Sequence, residues 1–370
     1  MDASIIEASD IEELQEAIRT QTRIQPSGAG SKTALAADGD QCTRISSARL
    51  SGIVEYAPSE YTFTALAGTP VAEIERMLSE NGQYLPFDPP LAGAGATLGG
   101  TVAAGLNGPG RYRFGGLRDS LLGIQFIDGR GSLVRAGGRV VKNAAGFDLP
   151  KFMVGSLGGY GFLVELTFKV LPAPEAYSTL RARYSDVETG LAALVRLTRQ
   201  PFEIYALELI VSEGLIELLV RVGGAAHTLA ARKRRVGAVL GEVDLEFLAG
   251  EHESRLWAGL RDFHWLPEAH SLVKIPLTPM SVQSLETELA AHAAPRVYSV
   301  GANLAWIALP GEIDGIDAID AMNAILVKLG LGGLVVLGEA GQGRIGARNG
   351  ETFAQRIKLA LDPDGKFVDI

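Results

Sequence analysis

The stretch TLGGTVAAGLNGPGRYRFGGLRDSLLGIQFIDGRGSLVRAGGRVVKNAAGFDLPKFMVGSLGGYGFLVELTFKVLP, residues 97–172, decides how the rest of the chain is read. It interleaves glycine-rich turns with strand-like runs. In GFLVELTFKVLP (161–172), Phe162, Val164, Leu166, Phe168 and Val170 alternate with Glu165, Thr167 and Lys169, the period of a half-buried strand. LLGIQFIDG (121–129) is a second such run, and Asp128-Gly129 ahead of GSLVRAGG predicts a hairpin between two short strands. Of the chain's 45 glycines, 19 lie between Gly93 and Gly161, so the bias is local and interrupted by strands, unlike that of a flexible linker. Glycines between strands either serve tight turns in an all-β core or let backbone approach a ligand closely. The accumulation of several such loops in one domain favours the ligand.

Towards the N-terminus, RIQPSGAGSK (23–32) reads as a short strand running into another glycine loop. Gly28-Ala29-Gly30-Ser31-Lys32 can curl successive backbone N–H groups around an anion. It is not a Walker A loop, because the four-residue gap before Gly-Lys-Ser/Thr is missing. The run Gly93 to Gly100 imitates a Rossmann fingerprint, but three residues separate its second and third glycines, and Pro86, Pro89 and Pro90 precede it in place of a strand. A nicotinamide-type Rossmann domain is therefore a poor reading. Two sets of backbone donors, roughly seventy residues apart, suit a dinucleotide pyrophosphate gripped by main-chain amides, a site that needs little positive charge.

The flanks predict a mixed α+β fold with helices packed over sheets. Ser9-Asp10-Ile11-Glu12 reads as a capping box, with Ile11, Leu14 and Ile18 as the apolar stripe of a helix reaching about Thr20. Ile53–Tyr56 and Thr62–Leu66 read as strands. Thr69 is the expected cap of a second helix, with Pro70 at its first position, Val71, Ile74, Met77 and Leu78 on its buried face and Gly82 closing it. PAPEA (172–176) marks the clearest boundary. It divides the chain into a domain over 1–172, a second over 173–345 and a C-terminal segment, 346–370, that returns to the first. Beyond the boundary come strands in YSTLRARY, IYALELIV and LIELLVRV and helices over 187–199 and 225–240. A second round follows: strand 242–248, helix 251–263, strand 271–277, helix 280–291, one strand over 296–309, helix 315–329 and strand 333–338. That alternation fits a ferredoxin-like α+β sandwich, single or doubled.

Composition narrows the function. Over 370 residues the net charge is −9, which argues against a nucleic-acid partner. With 47% hydrophobic residues the chain can bury a sizeable core, yet it has no apolar run of ~18 residues to cross a membrane. MDASIIEASDIEELQ lacks the basic and apolar pattern of a signal peptide, so a cytoplasmic setting is expected, with any membrane association made through partners. The single cysteine, Cys42, excludes an internal disulfide, a cysteine zinc site and a four-thiolate iron–sulfur cluster within the chain.

Taken together, PSGAGSK (26–32), TLGG (97–100), GLRD (116–119), VVKNAAGFDL (140–149) and GSLGGYG (155–161) resemble the FAD-binding domain of the vanillyl-alcohol-oxidase/PCMH flavoproteins. Within that group the chain is most similar to the FAD-binding (E) subunits of bacterial glycolate oxidase. GEAGQG (338–343) and LDPDGKF (361–367) extend the resemblance more loosely into the second half. The resemblance implies a two-part FAD domain followed by a ferredoxin-like cap. It places Gly28, Ala29, Gly30, Ser31 and Lys32 at the pyrophosphate. Thr97, Leu98, Gly99, Gly100 and Ala104 fall near the ribityl and flavin, with Asp119 just beyond. Lys142, Asn143, Gly146, Phe147 and Asp148 border the cofactor from the next loop, and Gly155, Leu163 and Val164 meet the adenine side. Some relatives hold flavin covalently through His or Cys. All five histidines here lie in the second half, and Cys42 reads as an ordinary thiol in a peripheral segment, so dissociable FAD is expected.

Relatives that oxidise D-2-hydroxy acids carry a Gly-Asp-Gly-Asn-Leu-His segment, which supplies metal ligands, and a Glu-His-Gly, which supplies a base. The corresponding stretches here are Tyr298–Ala305 and Glu339–Gly341, with Tyr298, Ala305 and Ala340 at the histidine positions. Neither Tyr nor Ala replaces an imidazole as a neutral ligand or near-neutral base. No metal site and no catalytic base are therefore assigned. Arg255, Trp257, His264, Trp265 and Lys274 are the residues available to line a cleft. The resemblance then implies a flavin subunit that moves electrons between a homologous catalytic flavoprotein and an iron–sulfur subunit during oxidation of glycolate or a related 2-hydroxy acid. The alternatives are a self-sufficient FAD-dependent dehydrogenase or oxidase and a scaffold that binds no flavin.

Overall fold

Isoleucines at alternate positions seat the first sheet on its helix. The computed structural model describes residues 5–36, 42–138, 148–212, 214–290, 294–313, 315–339, 341, 343–348 and 350–368. Strands Ile5–Glu7, Thr43–Ser46 and Ile24–Ser27 form a parallel three-stranded sheet with Thr43–Ser46 in the middle. One face, with Ile6, Ile24 and Ile45, packs on helix Ile11–Thr20 through Leu14, Ala17 and Ile18. The helix is capped one residue later than its sequence suggests. Asp10 accepts from Glu13 N at 2.8 Å, and the Glu13 carboxylate reaches back to Ser9 N at 2.9 Å. An aspartate one position nearer the stripe displaces the serine from the cap.

A five-stranded antiparallel sheet follows, in the order Ile53–Ala57, Thr62–Leu66, Phe162–Lys169, Leu121–Ile127, Leu133–Gly137. Phe162, Val164, Leu166 and Phe168 are buried as their alternation requires. The expected hairpin is present, its turn held by Asp128 Oδ1, which accepts from the N–H groups of Arg130 and Ser132. Helix Val71–Ser79 begins after Pro70 and takes no side-chain cap. Thr69 instead ties its hydroxyl to both backbone groups of Gly52, so its expected capping role is not the one observed.

Contacts divide the chain into two units: residues 1–108, 115–173 and 349–370 in the first, and 109–114 and 174–348 in the second. Pro109–Phe114, which the sequence boundaries assign to the first domain, packs within the second, where helix Arg111–Phe114 lies on strand Ile204–Ser212. Helix Glu351–Leu361 leads into a C-terminal segment whose Phe367 pairs with Ile24 and fills the first unit's core. Asp362, 1% exposed, clamps this segment. It accepts from the N–H groups of Lys366 and Phe367 at 2.9 and 2.8 Å and pairs with Lys358 Nζ at 3.0 Å.

The second unit is a doubled ferredoxin-like sandwich with one continuous nine-stranded antiparallel sheet. Strands Ala176–Tyr184, Ile204–Ser212, Leu215–Gly224 and Asp244–Ala249 with helices Val187–Thr198 and Leu229–Leu240 make one βαββαβ repeat. Strands Ser271–Pro276, Arg296–Ser299, Leu304–Leu309 and Gly332–Leu337 with helices Pro279–Leu289 and Ala318–Leu329 make the other. Ile204–Ser212 pairs with Arg296–Ser299 and joins the repeats. The single strand expected over 296–309 is a hairpin. Its tip, Val300-Gly301-Ala302, has φ values of 56, 62 and 62°, a left-handed turn imposed from outside by Glu208, which accepts from Val300 N, and by the Tyr112 ring against Gly301.

Replacing Asp362 with Ala leaves the N–H groups of Lys366 and Phe367 without their acceptor and takes the carboxylate from the Lys358 ammonium, which keeps the carbonyls of Gly159 and Phe367. The expected loss is about 2–4 kcal/mol of stability, measured by urea unfolding of the full chain against wild type.

Candidate functional site

In the first unit the polar face of the three-stranded sheet floors a cavity of about 550 Å³. The register that sends Ile45 into the core turns Arg44 and Ser46 the other way, beside Gln25 on one neighbouring strand and Ile5 and Glu7 on the other. The remaining walls are the turn after Ile24–Ser27, the start of helix Leu98–Ala104 and the segment around Leu157–Leu163.

Two glycine loops distant in sequence meet here. Thr97 caps helix Leu98–Ala104 by accepting from Gly100 N at 3.2 Å. A Cβ on Gly28 would lie 2.3 Å from the Thr97 hydroxyl, so only glycine allows the first loop to lie against the second. Gly30 has φ +72°, which turns the loop over the cavity. Among the described residues, the N–H groups of Gly28, Ala29, Gly30 and Ser31 form no hydrogen bond within the protein. A run of free amides on a curled backbone is an anion-binding nest. Lys32 stands at its end, Nζ to Ser31 Oγ at 3.2 Å, and burial lowers its ammonium to about 8.

Of the residues singled out in sequence, Gly28, Ala29, Gly30, Ser31, Lys32, Thr97, Gly99, Gly100, Ala104 and Leu163 line this cavity. Leu98 and Val164 point into the core, 1% and 0% exposed. Asp119 accepts from Gly116 N at 2.8 Å and closes the turn Leu117–Ser120. Asp148 caps helix Leu149–Met153 and pairs with Lys151, which holds its carboxyl below the usual range. Gly155 donates to Val102 O at 3.0 Å. Lys142, Asn143, Gly146 and Phe147 lie outside the described residues. The cavity also recruits Ile5, Glu7, Gln25, Arg44 and Ser46, which sequence reasoning missed. The signal for them is the alternation in Thr43–Ser46, Arg44 and Ser46 outward and Ile45 inward.

The donor set fits a flavin dinucleotide: free amides for a diphosphate, hydroxyls of Ser27, Ser46 and Thr97 around them, and glycines where backbone must come close. The volume lies within the ordinary range for ligand sites, ~300–1,000 Å³. No described residue lining it is His or Cys.

In the second unit Tyr298 and Ala305, at two of the positions that carry histidines in catalytic relatives, are turned to other uses. Tyr298 is fully buried and donates its hydroxyl to Glu286, which also takes Arg296 Nε at 2.6 Å. Burial, and after it the adjacent carboxylate, push the phenol well above its ordinary value. Ala305 is core, and Asn303 folds its amide onto the carbonyls of Val300 and Gly301 at 3.1 and 3.3 Å. Glu339 is exposed, and Ala340 lies outside the described residues. Of the expected cleft residues, Arg255 is exposed and paired with Glu251, while Trp257 is buried and donates to Thr179 Oγ1 at 2.7 Å. His270 contacts Glu268 O. Lys274 stands enclosed on a central strand, its ammonium lowered to about 8 by burial and by nearby Arg111.

Comparison with known proteins agrees with this division. Residues 3–137 match the model of an FAD binding domain. The chain is 34% identical to glycolate oxidase subunit GlcE of Escherichia coli K12 over 365 residues, covering 96% of this chain and 94% of that protein. It is 30% identical to glycolate oxidase subunit GlcD of Bacillus subtilis over 138 residues, 37% of this chain and 29% of that one. With the mitochondrial D-lactate dehydrogenase [cytochrome] 1 of Saccharomyces cerevisiae it shares 27% identity over 49% of this chain and 30% of that one. Among solved structures, alkyldihydroxyacetonephosphate synthase shares the fold, with a TM-score of 0.72, 16% identity and coverage of 98% of this chain and 76% of that one. The protein is thus an FAD-binding flavoprotein of the PCMH type, in the class of FAD-dependent oxidoreductases that act on 2-hydroxy acids. Within that class the chain belongs to the family of the E subunit of bacterial glycolate oxidase.

Two measurements check the cavity. Gly28→Ala pushes the two loops apart, and FAD affinity should fall at least tenfold (~1.4 kcal/mol), read by quenching of flavin fluorescence, with the unfolding midpoint little changed. Lys32 loses its charge as pH rises through about 8, whereas a bound diphosphate favours the charged form. FAD affinity should therefore decline above that pH in the wild type, and Lys32→Met should bind more weakly at pH 7 and lose the dependence.

Proposed function

We propose that this chain is the FAD-bearing subunit of a multi-subunit glycolate oxidase. In that assembly it passes electrons between a homologous catalytic flavoprotein subunit and an iron–sulfur subunit. The observation that carries this reading is a contrast between its units: a cavity on which the Gly28–Lys32 and Thr97–Gly100 loops converge, and a second unit in which Tyr298 and Ala305, at two of the relatives' histidine positions, are spent on packing. The names of the relatives GlcE and GlcD speak of a glycolate oxidase built from several subunits.

Oxidation of a 2-hydroxy acid removes a hydride from the α-carbon and a proton from the hydroxyl, and bound FAD supplies the hydride acceptor. The residues expected to hold it are the amides of Gly28 to Ser31, with Lys32, and the Thr97–Gly100 turn. The hydroxyl proton needs a base near neutrality. Tyr298 cannot serve, its phenol being buried and already donating to Glu286. Ala305 has nothing to titrate, and Glu339 stands exposed in solvent. One cysteine cannot ligate a cluster, so the one-electron carriers reside in another chain.

One feature favours turnover by the chain alone. The Lys274 ammonium, near Arg111 and held down to about 8, would welcome a substrate carboxylate. Anaerobic titration separates the readings. The purified chain should be yellow, should release all its FAD on acid precipitation, and should keep its flavin absorbance when glycolate or D-lactate is added. Bleaching should appear only with the partner subunits present. Bleaching of the isolated chain, lost in Lys274→Met, would establish the self-sufficient enzyme, and colourless protein that cannot be loaded would leave a scaffold.

A further inference from the structure

The cavity of the first unit has three ionisable groups among its described walls: Glu7, Lys32 and Arg44. In a chain of net charge −9 this is a local excess of positive charge. Lys32 belongs to the glycine loop. Arg44 arrives independently, from the middle strand of the parallel sheet, at the same register position as Ile5 and Gln25. Its stem therefore rises from the centre of the cavity floor. Glu7 lies two positions further along, level with Ser46, and makes no ion pair with Arg44 within 4.0 Å. The Arg44 side chain has no hydrogen bond or ion pair with any described residue. A partly buried guanidinium with no side-chain partner among the described residues is available to an anion in the cavity.

We propose that Arg44 is a second charged anchor for the bound dinucleotide, engaging its diphosphate from the sheet side while Lys32 and the free amides engage it from the loop side. This rests on the dinucleotide reading of the cavity and adds to it a residue outside every motif quoted for the family. A planar fork of N–H donors suits paired phosphate oxygens. Two cations against one carboxylate leave the cavity one charge short of neutralising a diphosphate, and the nest amides supply the remaining dipoles.

The test is equilibrium binding of FAD, and of ADP as a competitor that carries the diphosphate without the flavin, to wild type, Arg44→Ala, Arg44→Gln and Arg44→Lys. Arg44→Ala and Arg44→Gln should weaken FAD about 10- to 100-fold, weaken ADP by a similar factor and flatten the salt dependence, with thermal midpoints of the apo chain unchanged. Arg44→Lys should recover part of the loss. Arg44→Ala and Arg44→Gln binding FAD and ADP like the wild type overturns this proposal and leaves the dinucleotide reading standing. Loss of FAD affinity without loss of ADP affinity also overturns it, because Arg44 would then act on the flavin half. A wild-type chain that takes up no FAD overturns the dinucleotide reading itself and this proposal with it.

Discussion

The cavity of the first unit depends on the approach of Gly28 to Thr97. A hydroxyl sits 2.3 Å from where a Cβ would be, so the loop that leaves the parallel sheet rests directly on the loop that opens the helix Leu98–Ala104. Each loop alone is an ordinary turn. Pressed together they bring free amides and a capped helix start to one small volume, and neither needs a charged motif to do so. The constraint spreads outward from there. Gly99 donates to Ala67 O at 2.7 Å, and a Cβ there would lie 2.7 Å from the Ala67 methyl, so the second loop is in turn fixed to the end of strand Thr62–Leu66. The five-stranded sheet and the three-stranded sheet are thus referenced to one another through glycine, and the cavity inherits their rigidity.

The sequence was legible where a periodic pattern had one interpretation. The alternation in 161–170 and the hairpin at Asp128 needed no tertiary information, because period-two burial is decided locally. The alternation of strands and helices in the second unit was equally open, but its doubling was not settled by it, because the hairpin over 296–309 read as one strand. Thr43–Ser46 escaped notice for a physical reason. Only Ile45 of its four residues meets the core, and the opposite face lines a cavity, so the hydrophobic signal of a strand is halved and its polar residues imitate a loop. The tip Val300-Gly301-Ala302 escaped for the opposite reason. Val and Ala disfavour the left-handed region, and the turn exists because Glu208 and Tyr112, far away in sequence, hold it there. Asp119 and Asp148 show a third kind of limit, since the family's motif marks the place while the side chains themselves close helix turns.

The second unit repeats the family's scaffold with a different interior. Where a metal-ligating imidazole would face the reaction, Tyr298 faces helix Pro279–Leu289 and completes a buried pair between Glu286 and Arg296. Such a pair is costly to break from one side, because the partner left behind stays buried and charged. A single reversion of Tyr298 to His would therefore not restore a metal site. It would remove the phenol from Glu286 while leaving Ala305 unable to provide a second ligand. Packing holds Tyr298 and Ala305 in these roles, so the scaffold stays intact with no imidazole at either position.

That asymmetry bears on why a flavin would be kept at all. A subunit needed only for its shape has no use for a run of amides without protein partners at Gly28–Ser31 or for a lysine lowered to about 8 by burial, since withdrawing that ammonium from water costs more than its single contact with the Ser31 hydroxyl returns. Proteins retain such costs where a ligand recovers them. Here the recovering ligand must be an anion with an extended, uncharged body, because the cavity pairs two cations and a nest with hydrophobic walls at Leu35, Leu157 and Phe162. A flavin dinucleotide has that form, with its charge concentrated at the diphosphate and an uncharged body of hydroxylated linkers and aromatic rings on either side. Such a site shares one chain with a unit in which Tyr298 and Ala305 stand where catalytic relatives carry histidines, and this combination fits the proposed division between electron carriage and substrate oxidation.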